Sequence, residues 1–217
     1  LVLRRVGVGA HEGEDHIGVV GAGGPHLLAV DDDAVAVDDA PGAQAAEAEP
    51  GALARNAIPF TNEPALPLIA VVLTPGDGGV DAESIKGLPF PVTVALDPNA
   101  PDAAATAETY RRAGAEVLIL PAGLPKGASA SDIEVSFATF FAAIPTAVGV
   151  IDLPTDGFAA DMLGAKQVAA ILAADGYGMI TYGRGLNSAT QEAARLSVPA
   201  AEVLRVLDDG GVGESAL

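Results

Sequence analysis

Short apolar runs rich in valine and isoleucine alternate with longer helical stretches from residue 66 onward, and glycine or proline closes each pair. This pattern is typical of a repeated strand–helix unit. Strands apolar on both faces belong in a parallel sheet covered by helices, so we predict an α/β fold, either a doubly wound sheet or a barrel. The predicted strands are residues 66–73, 92–96, 116–120, 147–151 and 177–181, with a weaker sixth at 202–207.

Helices are predicted between the strands from capping patterns and apolar spacing. A serine followed three residues later by an acidic or amide side chain is typical of a capping box at a helix start. Residues 208–217 are glycine-rich and acidic, with no covering helix, so we expect an incomplete sheet whose last edge is open to homodimer formation. The predicted helices are residues 102–113, one opened by Ser131 and Glu134, 164–175, and 188–195, opened by Ser188 and Gln191.

Composition divides the chain near Pro50. Residues 1–50 are acidic, lack aromatic side chains and have little periodicity, so we predict a low-complexity tail or linker that is disordered, followed by one domain over 51–217. The whole chain has 29 acidic against 11 basic residues, a net charge of −18, which argues against a nucleic-acid partner. No apolar window approaches the ~20 residues of a transmembrane segment, and no signal peptide is visible at the N-terminus.

Histidine and cysteine are missing from the predicted sheet region. The chain has no Cys, and its three histidines, at positions 11, 16 and 26, all precede the first strand. A zinc site with nitrogen or sulfur ligands, and Ser–His or Cys–His nucleophile pairs, are therefore excluded within the sheet. Carboxylates remain: Asp77, Asp97, Asp152 and Asp156 follow strands and could converge as Mg²⁺ or Ca²⁺ ligands or as an acid–base pair. Alternatively, they cap helices and shape turns.

Three further residues follow the fifth strand. Arg184 lies between two glycines, which leaves its guanidinium room to meet a carboxylate or sugar hydroxyls, or to pair with a loop aspartate. Asn187 is most simply the N-cap of the next helix. Tyr182 offers a ring that could stack on a sugar. Together with Asp97 and Asp156, these three are the candidate substrate-binding residues.

Four segments, in this order, resemble the divergent polysaccharide deacetylase family in its alphaproteobacterial form. The resemblance implies a (β/α) barrel-like fold of the carbohydrate esterase type, often incomplete in strand number, and a periplasmic or envelope location. It also implies hydrolysis of N-acetyl groups on a polysaccharide, with one Asp and two His holding a divalent metal. The segments are residues 88–101 (LPFPVTVALDPNAP), 110–118 (YRRAGAEVL), 147–150 (AVGV) and 182–187 (YGRGLN).

The family's metal ligands do not carry over to this sequence. The aspartates expected after the first strand fall on residues 74–77, where only Asp77 remains, and the two histidine segments fall on 119–122 and 151–153, which contain none. We therefore expect no metal cofactor and a truncated, catalytically degenerate domain, a pseudoenzyme that binds glycan or an envelope protein. The first alternative is an active carbon–nitrogen hydrolase in which Asp77, Asp152 and Asp156 surround a hard cation. The second is a structural envelope module without a small-molecule site.

Overall fold

The computed structural model describes residues 2–3, 49–61, 68–75, 80–125, 127–183 and 187–207. A 3-10 turn at Phe158–Ala160 precedes the fifth helix. The strands are β1 (Val2–Leu3), β2 (Ala70–Leu73), β3 (Val92–Leu96), β4 (Glu116–Ile119), β5 (Gly149–Ile151), β6 (Gly178–Tyr182) and β7 (Ala200–Arg205). The helices are α1 (Ala52–Asn56), α2 (Ala82–Lys86), α3 (Ala103–Arg112), α4 (Ala130–Ala143), α5 (Met162–Asp175) and α6 (Ser188–Arg195).

Six parallel strands, β2 to β7, lie side by side in chain order and curl into an incomplete (β/α) barrel. The pairing is parallel throughout, as in the register of Val94 with Val117 and of Val150 with Met179. This confirms the predicted fold class. A complete barrel of this type has eight parallel strands.

The two-residue strand β1 pairs antiparallel with β2 on one side and with β7 on the other, which closes the ring of strands. Val2 is in register with Val71 and with Arg205. The edge after the sixth strand, which we expected to be open, is therefore paired at Val203 and Arg205. Homodimer formation there stays a prediction, as does the tail assigned to residues 1–50, most of which lies outside the described residues.

Two apolar layers hold the sheet. Aliphatic side chains fill the barrel interior, where Val72, Ala95, Leu118 and Ile151 form one buried cluster. The larger cluster lies between the strands and the helices, and its centre is Phe137 of α4, which is fully buried. Burial of large side chains on the outer layer thus contributes most of the hydrophobic stabilisation. Among the described helices, none is both long and apolar enough to cross a membrane.

Two predicted capping boxes are wrong by one or two residues. Ser129, not Ser131, caps α4: its hydroxyl accepts from the Asp132 amide, and the Asp132 carboxylate accepts from the Ser129 amide. Ser131 already lies inside the helix. At α6, Asn187 is the N-cap, and its Oδ1 accepts from the Thr190 amide at 3.2 Å, so the assignment of Asn187 is confirmed and that of Ser188 is not.

Helix α1 covers the amino ends of the parallel strands. The Leu53 amide donates to the carbonyl of Gly176, just before β6, at 2.8 Å. Asn56 Nδ2 donates to the carbonyl of Ala147, just before β5, at 2.9 Å. The Ile58 amide donates to Oε1 of Glu116, at the start of β4, at 2.9 Å. At the opposite end of the sheet, the carboxyl ends of the parallel strands are followed by loops.

Candidate functional site

The loops after β3, β4, β5 and β6 meet at the carboxyl end of the sheet, which is where ligands bind in parallel α/β folds. Of the candidate residues, Asp97, Asp152, Asp156, Tyr182 and Asn187 lie in or beside these loops. Asp77 and Arg184 lie outside the described residues.

Asp97 directly follows β3 and is hydrogen-bonded to its own loop. Its Oδ1 accepts from the Asn99 amide at 2.9 Å and from Asn99 Nδ2 at 3.1 Å. Asn99 Nδ2 also donates to the carbonyl of Ala122, in the loop after β4, at 2.9 Å. The carboxylate thus closes an Asx turn whose asparagine links two neighbouring strand-end loops. This is the turn-shaping role that the sequence left open as an alternative.

Asp152 directly follows β5 and is buried, with 4% of its surface exposed. Its peptide N–H continues the sheet by donating to the carbonyl of Ile180 at 2.8 Å. Burial raises the pKa of its carboxyl to about 6, and the backbone amides of Leu153, Ala159 and Phe158 lower that pKa without offsetting the burial. Oδ1 accepts no hydrogen bond of good geometry from the described residues.

The Asp152 carboxyl is covered by its own loop and not presented at the mouth of the barrel. A Cβ built on Gly157 would lie 2.0 Å from Asp152 Oδ1 and 2.6 Å from Cγ, so the carboxyl packs directly on the glycine backbone. Within the described residues, no group of three or more His, Cys, Asp or Glu side chains is placed to hold a metal ion. The predicted convergence of loop aspartates is not found there.

Asn187 connects the end of β6 to β7. Its Nδ2 donates to Thr181 Oγ1 at 2.8 Å and to Glu202 Oε1 at 3.0 Å. Thr190 Oγ1 donates to the same Glu202 oxygen at 3.1 Å. Sequence reasoning identified Asn187 but missed its partners Thr190, inside α6, and Glu202, which lies beyond that helix in β7. Asn187 is therefore engaged in holding α6 on the sheet.

Tyr182 and Asp156 remain as candidate ligand contacts. Tyr182 is half-buried at the end of β6, and its carbonyl accepts from Asn187 Nδ2 at 3.4 Å. Asp156 is exposed and has a left-handed backbone, with φ of 56°. An aspartate tolerates this region better than most residues do.

A cavity of about 180 Å³ lies between the loop after β4, the start of α4 and the loop after β5. Its apolar wall includes Leu124, Pro125, Ile133 and Phe158, and Asp156 and Asp161 add carboxylates. Asp161 also caps α5, since its Oδ1 accepts from the Gly164 amide at 2.8 Å. The cavity is too small for a sugar ring with its substituents to be fully enclosed.

Comparisons with known proteins agree with the fold. Residues 75–217 match the family model described as divergent polysaccharide deacetylase. A solved structure, the uncharacterized protein ATU2773 from Agrobacterium tumefaciens C58, has a TM-score of 0.60 and 17% sequence identity, over 74% of this chain and 72% of that chain. It shares the fold with this chain. No curated protein matches.

Proposed function

Because the chain belongs to the divergent polysaccharide deacetylase family, we propose that it is a deacetylase-like protein of carbohydrate metabolism that binds an acetylated polysaccharide without hydrolysing it. The observation that carries this proposal is the engagement of the two aspartates that directly follow described strands. Asp97 is hydrogen-bonded to Asn99, and Asp152 is enclosed beneath Gly157. Neither carboxyl is presented to a shared ligand.

The metal that the family resemblance implies does not fit the described strand ends. It calls for one Asp and two His, whereas the chain has no histidine after position 26. A substitute built from carboxylates would need several oxygens directed at one point, because hard cations take six or more oxygen ligands. The described carboxylates are not grouped in that way. We therefore derive no reaction step through a metal.

Binding is the part of the family's activity that the strand-end residues can still support. Tyr182 is half-buried at this end, and Asp156 is exposed in the loop after β5. Carboxylate and amide groups hydrogen-bond sugar hydroxyls, and an aromatic ring packs against the apolar face of a sugar. We propose an open binding surface at the carboxyl end of the sheet, with Tyr182 and Asp156 as its contacts.

The test uses N-acetylglucosamine oligomers with the purified full chain. Acetate release is measured with and without added Zn²⁺ or Mg²⁺, and binding is measured by calorimetric titration. We expect binding in the range of weak carbohydrate recognition, no acetate above background, and a loss of at least tenfold in affinity for Tyr182→Ala. Tyr177→Phe is the matched control, because Tyr177 stacks on Phe141, 3.9 Å between ring centroids, and a phenyl ring preserves that contact. Steady acetate release would overturn the proposal.

A second candidate, a hydrolase that uses carboxylates, is favoured by one observation. Asp152 is a strand-end carboxyl whose pKa is raised to about 6, and shifted carboxyls of this kind serve as general acids or bases. It would have to be uncovered before it could touch a substrate. Acetate release that is lost in Asp152→Asn, and in the presence of a chelator, would favour this candidate over binding alone.

The proposal extends to location. Members of the family are expected to act on polysaccharides of the envelope, so we propose that the protein lies outside the cytoplasmic membrane, with polysaccharide or an envelope protein as its partner. Fractionation of cells that express the natural gene measures this. Recovery with the cytoplasmic fraction would count against the location and leave the binding proposal to its own test.

A further inference from the structure

The segment between β5 and α5, residues 153–161, is built over the side chain of Asp152; we call it the Asp152 loop. It includes the 3-10 turn Phe158–Ala160 and ends at Asp161, the N-cap of α5. Phe158 anchors the turn, because it is buried and meets Phe137 of α4 edge to face, with ring centroids 6.5 Å apart. The loop therefore has one firm apolar anchor and one buried acid beneath it.

Gly157 is the point of contact between the loop and the acid. A Cβ at this position would lie 2.0 Å from Asp152 Oδ1 and 2.8 Å from the Leu153 amide nitrogen, so the glycine backbone seals the carboxyl from solvent. Gly157 also lines the cavity described above, together with Asp156, Phe158 and Ala160. The same backbone thus covers the acid on one side and forms a wall of the cavity on the other.

The enclosure favours a protonated Asp152 carboxyl, because the backbone amides that stabilise its ionised form do not offset the burial. A buried carboxylate needs hydrogen bonds or a cation to replace lost water, and Oδ1 has no such partner among the described residues. The raised pKa of Asp152 has burial as its largest cause and contains no contribution from a charged side chain.

Charged or titratable side chains on the neighbouring elements do not account for this effect. None of them shifts the pKa of Asp152, which burial raises and the backbone amides of Leu153, Ala159 and Phe158 lower. The described groups on those elements are Asp156 and Asp161 of the loop, Asp132 and Glu134 of α4, Lys166 and Asp175 of α5, Tyr182 of β6, and Glu192 and Arg195 of α6.

We propose that the Asp152 loop is a pH-sensitive latch, closed while Asp152 is protonated and released when the carboxyl ionises and takes up water. Release moves Gly157 and the 3-10 turn away from Asp152. Because these residues line the cavity, the cavity opens on that side. The latch is a property of this loop and does not depend on whether the protein binds polysaccharide.

Amide hydrogen exchange on the full chain, read by mass spectrometry at pH 5 and pH 8, tests the latch. After correction for the intrinsic rate of exchange, we expect protection of residues 153–161 to fall by tenfold or more between pH 5 and pH 8, while α3 stays unchanged. Asp152→Asn cannot ionise, so its loop is expected to stay protected at both pH values. Asp156→Asn is the matched control, since it removes a charge from the same loop at an exposed position and asparagine tolerates its left-handed backbone.

Two results would overturn the latch. One is equal protection of the wild-type loop at pH 5 and pH 8, or a fall that Asp152→Asn shares. The other is an equal fall throughout the domain, which would mean global destabilisation and not a local opening. If Asp152→Asn does not fold, the wild-type comparison of the loop with α3 at several pH values still decides between these outcomes.

Discussion

Asp97 and Asp152 occupy equivalent positions, each directly after a parallel strand, yet their surroundings differ completely. Asp97 is partly exposed and accepts two hydrogen bonds from Asn99, two residues further on. Asp152 is buried, and Gly157, five residues further on, lies against a carboxyl oxygen that has no partner among the described residues. The loop after β3 supplies donors to its aspartate at a partly exposed position. The loop after β5 supplies backbone amides and also covers its aspartate.

The difference teaches that a strand-end aspartate acquires its chemistry from the loop that follows it. A following asparagine keeps the carboxylate hydrogen-bonded and turns it into a structural link between loops. A following glycine lets backbone approach closely and shift the carboxyl toward its neutral form. Topology alone does not make either residue a ligand or a catalyst. Each of the following experiments changes one side of this contrast.

The largest effect is expected from Gly157→Ala. The added methyl group would collide with Oδ1 and Cγ of Asp152 and with the amide nitrogen of Leu153. We expect a loss of about 3 kcal/mol or more in the free energy of unfolding, measured by urea titration. Gly87→Ala is the control, because its nearest non-neighbouring atom, the Ser84 carbonyl oxygen, lies 3.5 Å away and its φ is −78°. Equal stability of the two variants would show that Asp152 is not enclosed.

Asp152→Asn is expected to remove one pH-dependent part of the stability. The folded pKa of Asp152 is raised from 3.8 to about 6, so folding favours the protonated form. Below pH 4 this group contributes no difference; as pH rises to 6, the wild type loses stability, and the loss persists above pH 6. The shift corresponds to about 3 kcal/mol as an upper value. Unfolding titrations at pH 4 and pH 8 should therefore show the variant gaining on the wild type only at pH 8. A constant difference would contradict this assignment.

Asp97→Ala is expected to cost less. It removes the two hydrogen bonds to Asn99 at a partly exposed position, which corresponds to about 1 kcal/mol of unfolding free energy. Asn99→Ala and the double variant complete a thermodynamic cycle. Because the two side chains act as one link, the double variant should be no less stable than the worse single variant by more than about 0.5 kcal/mol. Fully additive losses would mean that the two residues contribute independently.

The smallest effect is expected from metal. A ligand stabilises the native state only in proportion to its binding, and neither aspartate is presented to a shared cation. Addition of Zn²⁺, Mg²⁺ or a chelator should therefore move the Tm by less than about 1 °C. A clear rise in Tm with one ion, abolished in Asp97→Ala or Asp152→Asn, would contradict this expectation, because it would mean that the two residues share a role in binding that ion.

The fold was predictable from the sequence because its strands are buried on both faces and so leave continuous apolar runs. The six parallel strands follow from such runs, and Asn187 follows from capping chemistry. The start of α4 was misplaced because residues 129–134 contain two overlapping serine–acid pairs, and only the extended backbone of Ser129 distinguishes them.

The state of the candidate site was not predictable in the same way. Loop residues follow no hydrophobic periodicity. Nothing in the sequence therefore indicates that Gly157 covers Asp152 or that Glu202 accepts a hydrogen bond from Asn187. These contacts depend on how each loop returns to the sheet. For that reason, the sequence supported both a turn-shaping and a ligand-binding role for the aspartates, and the contacts were needed to separate them.

Helix α1 and strand β2 have a practical consequence for dissecting this domain. The family match begins at residue 75, whereas α1 (Ala52–Asn56) and β2 (Ala70–Leu73) precede that residue in the chain. A recombinant fragment trimmed to the matched range would lose the neighbour of β3 and the cover over the amino ends of β4, β5 and β6. A fragment that keeps both elements therefore has to start at or before residue 50, well ahead of the border that family similarity alone would draw.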